Sequence, residues 1–181
     1  MARIATLDRA KMNADQARVY DAAKATNNPV GGPYTAYIHI PKLFEAAQNM
    51  RGCLAAGPLS RREQQIINIT VARHWNAQYP WFAQVRASLQ VGLEQAIIDA
   101  VNARKTPNFA NDRERTCFVV SKEILENKGL SDATYAAAEK TMGLESLIAL
   151  VATTGTFSTT CITAGTFKVD APSDNPTPLA P

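Results

Sequence analysis

The feature that most constrains this chain is a helix stop set directly against a helix start, Gly57-Pro58-Leu59-Ser60-Arg61-Arg62-Glu63. Glycine then proline ends a helix that begins at Pro41 and runs to Ala56, because glycine accepts a terminal left-handed turn and proline cannot continue the backbone ladder. Ser60 and Glu63 form a capping box, in which each side chain satisfies the other's backbone amide. Beyond the box, Ile66, Ile67, Ile69, Thr70, Val71 and Trp75 recur at helical spacing, which predicts a helix with one buried face. Two helices joined by so short a turn point to a helix-packed fold.

The same punctuation divides the rest of the chain. Asn13 caps a helix that runs to Lys24, and Asn27-Asn28-Pro29-Val30-Gly31-Gly32-Pro33 breaks it rigidly. Asn76 is positioned to cap a fourth helix, with Pro80 inside its first turn where a missing amide costs little, and that helix ends near Gly92. Leu93 to Ala103 reads as a fifth. Asn111 opens a sixth that runs to Asn127 with Gly129 as its stop, Ser131 caps a seventh, and Gly143 separates the last element, which starts at Leu144. Threonines 153, 154, 156, 159, 160 and 163 favour a strand by propensity. A single strand cannot build a sheet, so this element is read as a buried helix. The expected fold class is all-α: one compact helical domain over residues 1–170, followed by a proline-rich tail, or an arm on another subunit, over 171–181.

Charge and composition remove several functions. There are 19 Lys and Arg against 16 Asp and Glu, for a net charge of +3. The basic residues are scattered in pairs such as Arg61-Arg62 and Arg104-Lys105, so no stripe tracks a phosphate backbone and no nucleic-acid partner is expected. The apolar stretch from Ser146 to Phe167 is laced with threonine and makes a poor membrane span. Met1 to Lys11 lacks the apolar core of a secretory signal. The three cysteines, Cys53, Cys117 and Cys161, lie far apart and do not form a disulfide framework, which leaves the cytoplasm as the expected compartment. Two distant histidines and no paired Cys or Asp constellation offer too few ligands for a metal.

The run Val71-Ala72-Arg73-His74-Trp75-Asn76-Ala77-Gln78-Tyr79-Pro80-Trp81, with Leu59 to Glu63 before it and Gly92-Leu93 after it, resembles the carboxymuconolactone decarboxylase-like family of the alkylhydroperoxidase D-like superfamily. Leu130 to Tyr135 and the helix over Leu147 to Phe167 extend the resemblance to about residues 30–170. It implies an all-helical, cofactor-free subunit that assembles as a homotrimer or hexamer, with pockets near subunit contacts. The sequence departs from the family pattern at the chemistry. The peroxidase branch needs an attacking thiolate and a resolving thiol in Cys-x-x-Cys. Ala77 and Pro80 stand in those places, so thiol peroxidase activity is rejected. The decarboxylase branch usually carries glutamate and histidine where Pro80 and Gln84 stand, and neither residue exchanges a proton near neutral pH.

Histidine titrates near neutrality, which makes His74 and His39 the candidate general acid or base, with Tyr79 as a candidate donor to a developing enolate. Arg51, Arg73 and Arg86 are candidate anchors for a substrate carboxylate, since a guanidinium holds both oxygens at once. Tyr37, Trp75, Trp81 and Gln84 complete the candidate binding set. Pro33 and Tyr34 are placed to form a pocket wall. The threonines of the last helix either line a polar cavity or bond back to the preceding turn. Two functions follow. The first is a cofactor-free lyase or isomerase that moves a proton on a small unsaturated carboxylic acid or lactone of aromatic catabolism, by decarboxylation or double-bond isomerisation through an enolate. The second is a catalytically degenerate member that binds a small acid or supports a hetero-oligomer.

Overall fold

The computed structural model describes residues 2–172, 175 and 177–180. Among these residues every regular element is helical. A short 3-10 turn at Arg9–Lys11 precedes α1 (Ala14–Ala25), α2 (Tyr34–Tyr37) and α3 (Pro41–Ala55). Then come α4 (Arg61–His74), α5 (Gln78–Gln90), α6 (Gln95–Asn102), α7 (Asp112–Asn127), α8 (Asp132–Met142) and α9 (Leu144–Thr166).

Helix α4 is the axis of the molecule, packed against α5, α6, α7 and α9. Its start is the expected capping box. The Glu63 amide donates to Ser60 Oγ at 3.2 Å and the Ser60 amide donates to Glu63 Oε2 at 2.7 Å. The expectation of one buried face understates its position. Ile66, Ile67, Ile69, Val71 and Ala72 are all fully buried, and they lie on every side of the helix. A helix buried over most of its circumference belongs inside a bundle rather than on its surface. The charged residues of its first turn are paired: Glu63 meets Arg113 of α7, and Arg62 meets Glu114 of α7 and Glu94.

Two boundaries differ from the sequence reading. Asn76 does not cap α5. Its backbone is left-handed, at φ 48°, and its side-chain oxygen accepts from the guanidinium groups of Arg73 and Arg104. Ala77 is the N-cap and offers no side-chain bond. At the end of α7 the left-handed residue is Lys128, at φ 67°, rather than Gly129. The caps at Asn13, Asn111 and Ser131 form as expected.

The chain carries two hydrophobic cores. The larger fills the space around α4. The smaller joins Val19 and Ala23 of α1 to Tyr37, Ile38 and Phe44. This N-terminal unit rests on α9, where the Tyr37 phenol meets Thr163 Oγ1 at 3.1 Å. Part of the proline-rich segment lies on the chain's own body. Trp81 Nε1 donates to the Thr177 carbonyl at 2.8 Å, Asn102 donates to the Pro178 carbonyl and accepts from the Ala180 amide, and Leu179 is buried. The rest of that segment (Ser173, Asp174, Pro176 and Pro181) lies outside the described residues.

Helix α9 is long and apolar enough to cross a membrane by length and hydropathy, with a third of its most apolar window buried in the chain. Its hydroxyls bond back along the helix, for example Thr153 to the Ala149 carbonyl and Thr154 to the Leu150 carbonyl, so the threonines sit in a helix at little polar cost.

Candidate functional site

Between the two cores lies a cavity of about 830 Å³. Its walls follow from helical periodicity, since residues three and four apart share a face. Helix α4 presents Arg61, Gln64, Gln65 and Asn68, which form one polar stripe on an otherwise apolar helix. Helix α5 presents Pro80, Ala83, Gln84 and Ala87, and α9 presents Thr153, Thr156, Phe157 and Thr160. Helix α3 supplies Leu43, Ala47, Met50, Arg51 and Leu54. The break at Pro29 to Pro33 and the α2 tyrosines close one end.

The hydrogen-bonding character of these walls is lopsided. The Thr163 hydroxyl already donates to the Thr159 carbonyl at 2.8 Å, so Tyr37 is the donor in the Tyr37–Thr163 bond. The Thr153, Thr159 and Thr160 hydroxyls are likewise turned to their own helix, whereas that of Thr156, also on the cavity wall, makes no hydrogen bond with the described residues. Asn68 donates to Gln84 Oε1 at 3.2 Å, which leaves the Gln84 NH2 without a protein acceptor among the described residues. Arg51 spends one N–H on Asn28 Oδ1 at 3.0 Å. Arg61 makes no hydrogen bond or ion pair with the described residues. Among the described residues no Asp, Glu, His or Cys lines the cavity, and its ionisable groups are two arginines and three tyrosines. Burial pushes the Tyr34 phenol above its usual range, with the nearby Arg51 opposing, and keeps it a neutral donor. The Tyr34 ring is packed edge-on against both Tyr37 and Phe44, at 5.6 Å each.

Tyr79 is held by backbone. A Cβ at Gly32, which has φ +61°, would stand 2.2 Å from Tyr79 Cε1, so the ring lies flush on the Gly31-Gly32 turn. Only a residue without a side chain permits that approach in a left-handed conformation.

The structure thus brings Tyr37, Tyr79, Arg51 and Gln84 of the expected set to one cavity. It places the remaining candidates elsewhere. His39 is exposed beyond α2. His74 ends α4 and stacks edge-on against Trp75 at 5.4 Å, where burial first, and then Lys128, hold its imidazole below the usual range. Trp75 is the exposed C-cap of α4. Arg73 is buried, with Nε donating to the Asn102 carbonyl at 2.7 Å, and serves to clamp α4 to α6. Trp81 is fully buried under Thr177. Arg86 is exposed and lies over the Phe82 ring at 5.5 Å. The sequence reading missed Arg61, Gln65 and Asn68. Their signal was present as a polar stripe at helical spacing on the helix that carries the isoleucines of the main core.

Pro80 and Gln84, which stand where the family pattern has ionisable residues, both face the cavity. Cys117 and Cys161 are buried thiols whose ionisation burial strongly opposes, and Cys53 is exposed on α3.

No family model matches the chain, and no curated protein matches it by sequence. Solved structures do match. A Ralstonia eutropha protein described as an alkylhydroperoxidase AhpD core and an uncharacterized peroxidase-related protein superposes with a TM-score of 0.76 at 16% identity, covering 98% of this chain and 97% of that one. An uncharacterized peroxidase-related protein from Silicibacter sp. gives 0.75 at 17% identity, covering 97% and 95%. At this identity the likeness is one of fold, and the chain has the alkylhydroperoxidase D-like fold that the sequence resemblance implied.

Proposed function

We propose that this chain is a homo-oligomeric protein that binds an organic carboxylate in the cavity between α3, α4, α5 and α9. The carrying observation is a cavity of about 830 Å³ whose ionisable lining, among the described residues, consists of arginines and phenols. Such a lining offers donors and positive charge with no competing anion, which favours an anionic oxygen ligand. Arg61 and Arg51 hold the carboxylate, and the phenols of Tyr34 and Tyr79 with the Gln84 amide complete the donor set.

The lyase or isomerase reading is favoured by one feature, the three phenols beside the arginines. A phenol facing a bound acid can donate to an enolate oxygen as charge develops there. In this reading Tyr79 takes the role first given to histidine, because neither His39 nor His74 lines the cavity. A thiol peroxidase reading finds no support in the placement of the three cysteines.

Titration calorimetry with aromatic and unsaturated carboxylates, each beside its alcohol analogue, tests the binding function. Arg61→Gln is expected to weaken acid binding about tenfold while leaving alcohols unaffected. Replacing both His39 and His74 with Asn is expected to leave binding unchanged. Equal affinity for acid and alcohol would overturn the carboxylate assignment. Deuterium uptake into a bound unsaturated acid, lost in Tyr79→Phe, would establish proton transfer.

A further inference from the structure

Resting on the carboxylate reading, the walls themselves limit what the carboxylate is attached to. The α3 stripe runs from Leu43 to Leu54, and the α9 stripe runs from Thr153 to Thr163. At about 1.5 Å of rise per residue these stripes are roughly 15 Å long. The α4 stripe from Arg61 to Asn68 is shorter, at roughly 10 Å on the same rise. Among the described residues the cavity's cations are Arg51 of α3, which donates to Asn28 Oδ1, and Arg61 at the start of α4. Opposite the amide stripe of α4, much of the lining is carbon. Leu43, Ala47 and Met50 form one side, Ala83 and Phe157 the other, and the hydroxyls of Thr153 and Thr160 are spent on their own helix.

A ring-cleavage diacid such as muconate fits this distribution poorly. It carries charge at both ends and little apolar surface, whereas the α3 wall of Leu43, Ala47, Met50 and Leu54, with Ala83 and Phe157 facing it, is apolar along its length. Its volume of about 830 Å³ lies high in the range of sites that enclose drug-sized ligands, ~300–1,000 Å³. We infer that the ligand is an elongated monocarboxylate with a continuous apolar body, its headgroup at Arg51 and Arg61 and its body laid along the α3 and α9 walls.

The test is a chain-length series of straight alkanoates from butyrate to dodecanoate, with muconate and decanol beside them, measured by calorimetry on the full chain. Affinity is expected to rise about three- to fourfold per methylene. The rise should level off near decanoate, the length at which the walls end. Ala83→Leu, which fills the middle of the channel, is expected to cut decanoate affinity at least tenfold and to leave butyrate unchanged. Muconate binding as tightly as decanoate, or affinity independent of chain length, would overturn the inference while leaving the carboxylate reading in place. Binding of decanol as tightly as decanoate, or failure of every acid to bind, would overturn the carboxylate reading and the inference with it. The wild-type series decides the question even if Ala83→Leu fails to fold.

Discussion

Gly32 and Tyr79 form the smallest unit on which the site depends. The glycine backbone at φ +61° presses directly on the tyrosine ring, so adding a methyl group has two consequences. A non-glycine residue in the left-handed region costs roughly 1–3 kcal/mol. The methyl also displaces the ring, moving the phenol out of its place in the cavity. Gly32→Ala is therefore expected to lower stability and to weaken carboxylate binding together, as read by denaturant unfolding and calorimetry. In a Tyr79→Ala background the clash has no partner and only the backbone cost remains, so the stability loss from Gly32→Ala should shrink. An equal loss in both backgrounds would show that the ring contact carries no energy. At this scale the sequence was partly legible. Tyr79 was identifiable by motif, but its anchor at Gly32 was not, because the two meet only through tertiary packing. The position of His74 outside the cavity was hidden for a similar reason. His74 lies six residues past Asn68 on α4, roughly 240° round the helix at 3.6 residues per turn, and so faces away from the polar stripe.

Helix α4 illustrates how an element can combine a legible start with an illegible setting. Its capping box depends on four consecutive residues and forms as the sequence dictates. That Glu63 also meets Arg113 across the interface with α7, at 2.7 Å, could not be read from local sequence. Burial pushes the Glu63 carboxyl upward, but Arg113 and the Ser60 amide outweigh it and hold the carboxyl below the ordinary carboxylate range. A group whose folded-state pKa is depressed contributes stability that is present above its unfolded pKa and lost as pH falls through the folded value. Stability of the wild type is thus expected to decline as pH drops below about 4, the unfolded carboxylate range. Glu63→Gln keeps the capping oxygen but removes the charge, so it should be less stable at neutral pH and show a flatter acid limb. The measurement is melting temperature against pH for both proteins. Parallel curves would show that Glu63 has no part in the acid response. The other boundaries follow the same division. Asn13, Asn111 and Ser131 cap from within their own turns, whereas Asn76 is drawn away by Arg73 and Arg104.

For the whole molecule, α9 joins the cavity to the outer surface. Its inner face packs on α4 and lines the site. Its outer face exposes Leu144 (54%), Ile148 (59%), Val151 (43%) and Ile162 (46%), at helical spacing. Composition alone distinguished this helix poorly from a strand or a span, because β-branched residues and threonine dominate it. The all-helical setting decided its conformation, and that setting was legible from the caps. The two-core arrangement was not, since the separation of the α1–α3 unit from the α4 core depends on contacts between residues far apart in sequence. An apolar stripe of this length is rarely left in water by a monomer, and steps of four and three residues suit packing against another helix. The expectation is self-association through α9, with light scattering giving a mass that is a multiple of the 19.6 kDa chain. Lysine at both Ile148 and Val151 adds charge to the centre of the stripe without touching the buried face, so the double variant should keep its helical circular dichroism and run as a monomer. Loss of helicity would place the stripe in the fold rather than the interface. A wild type that remains monomeric at tens of micromolar would remove self-association altogether.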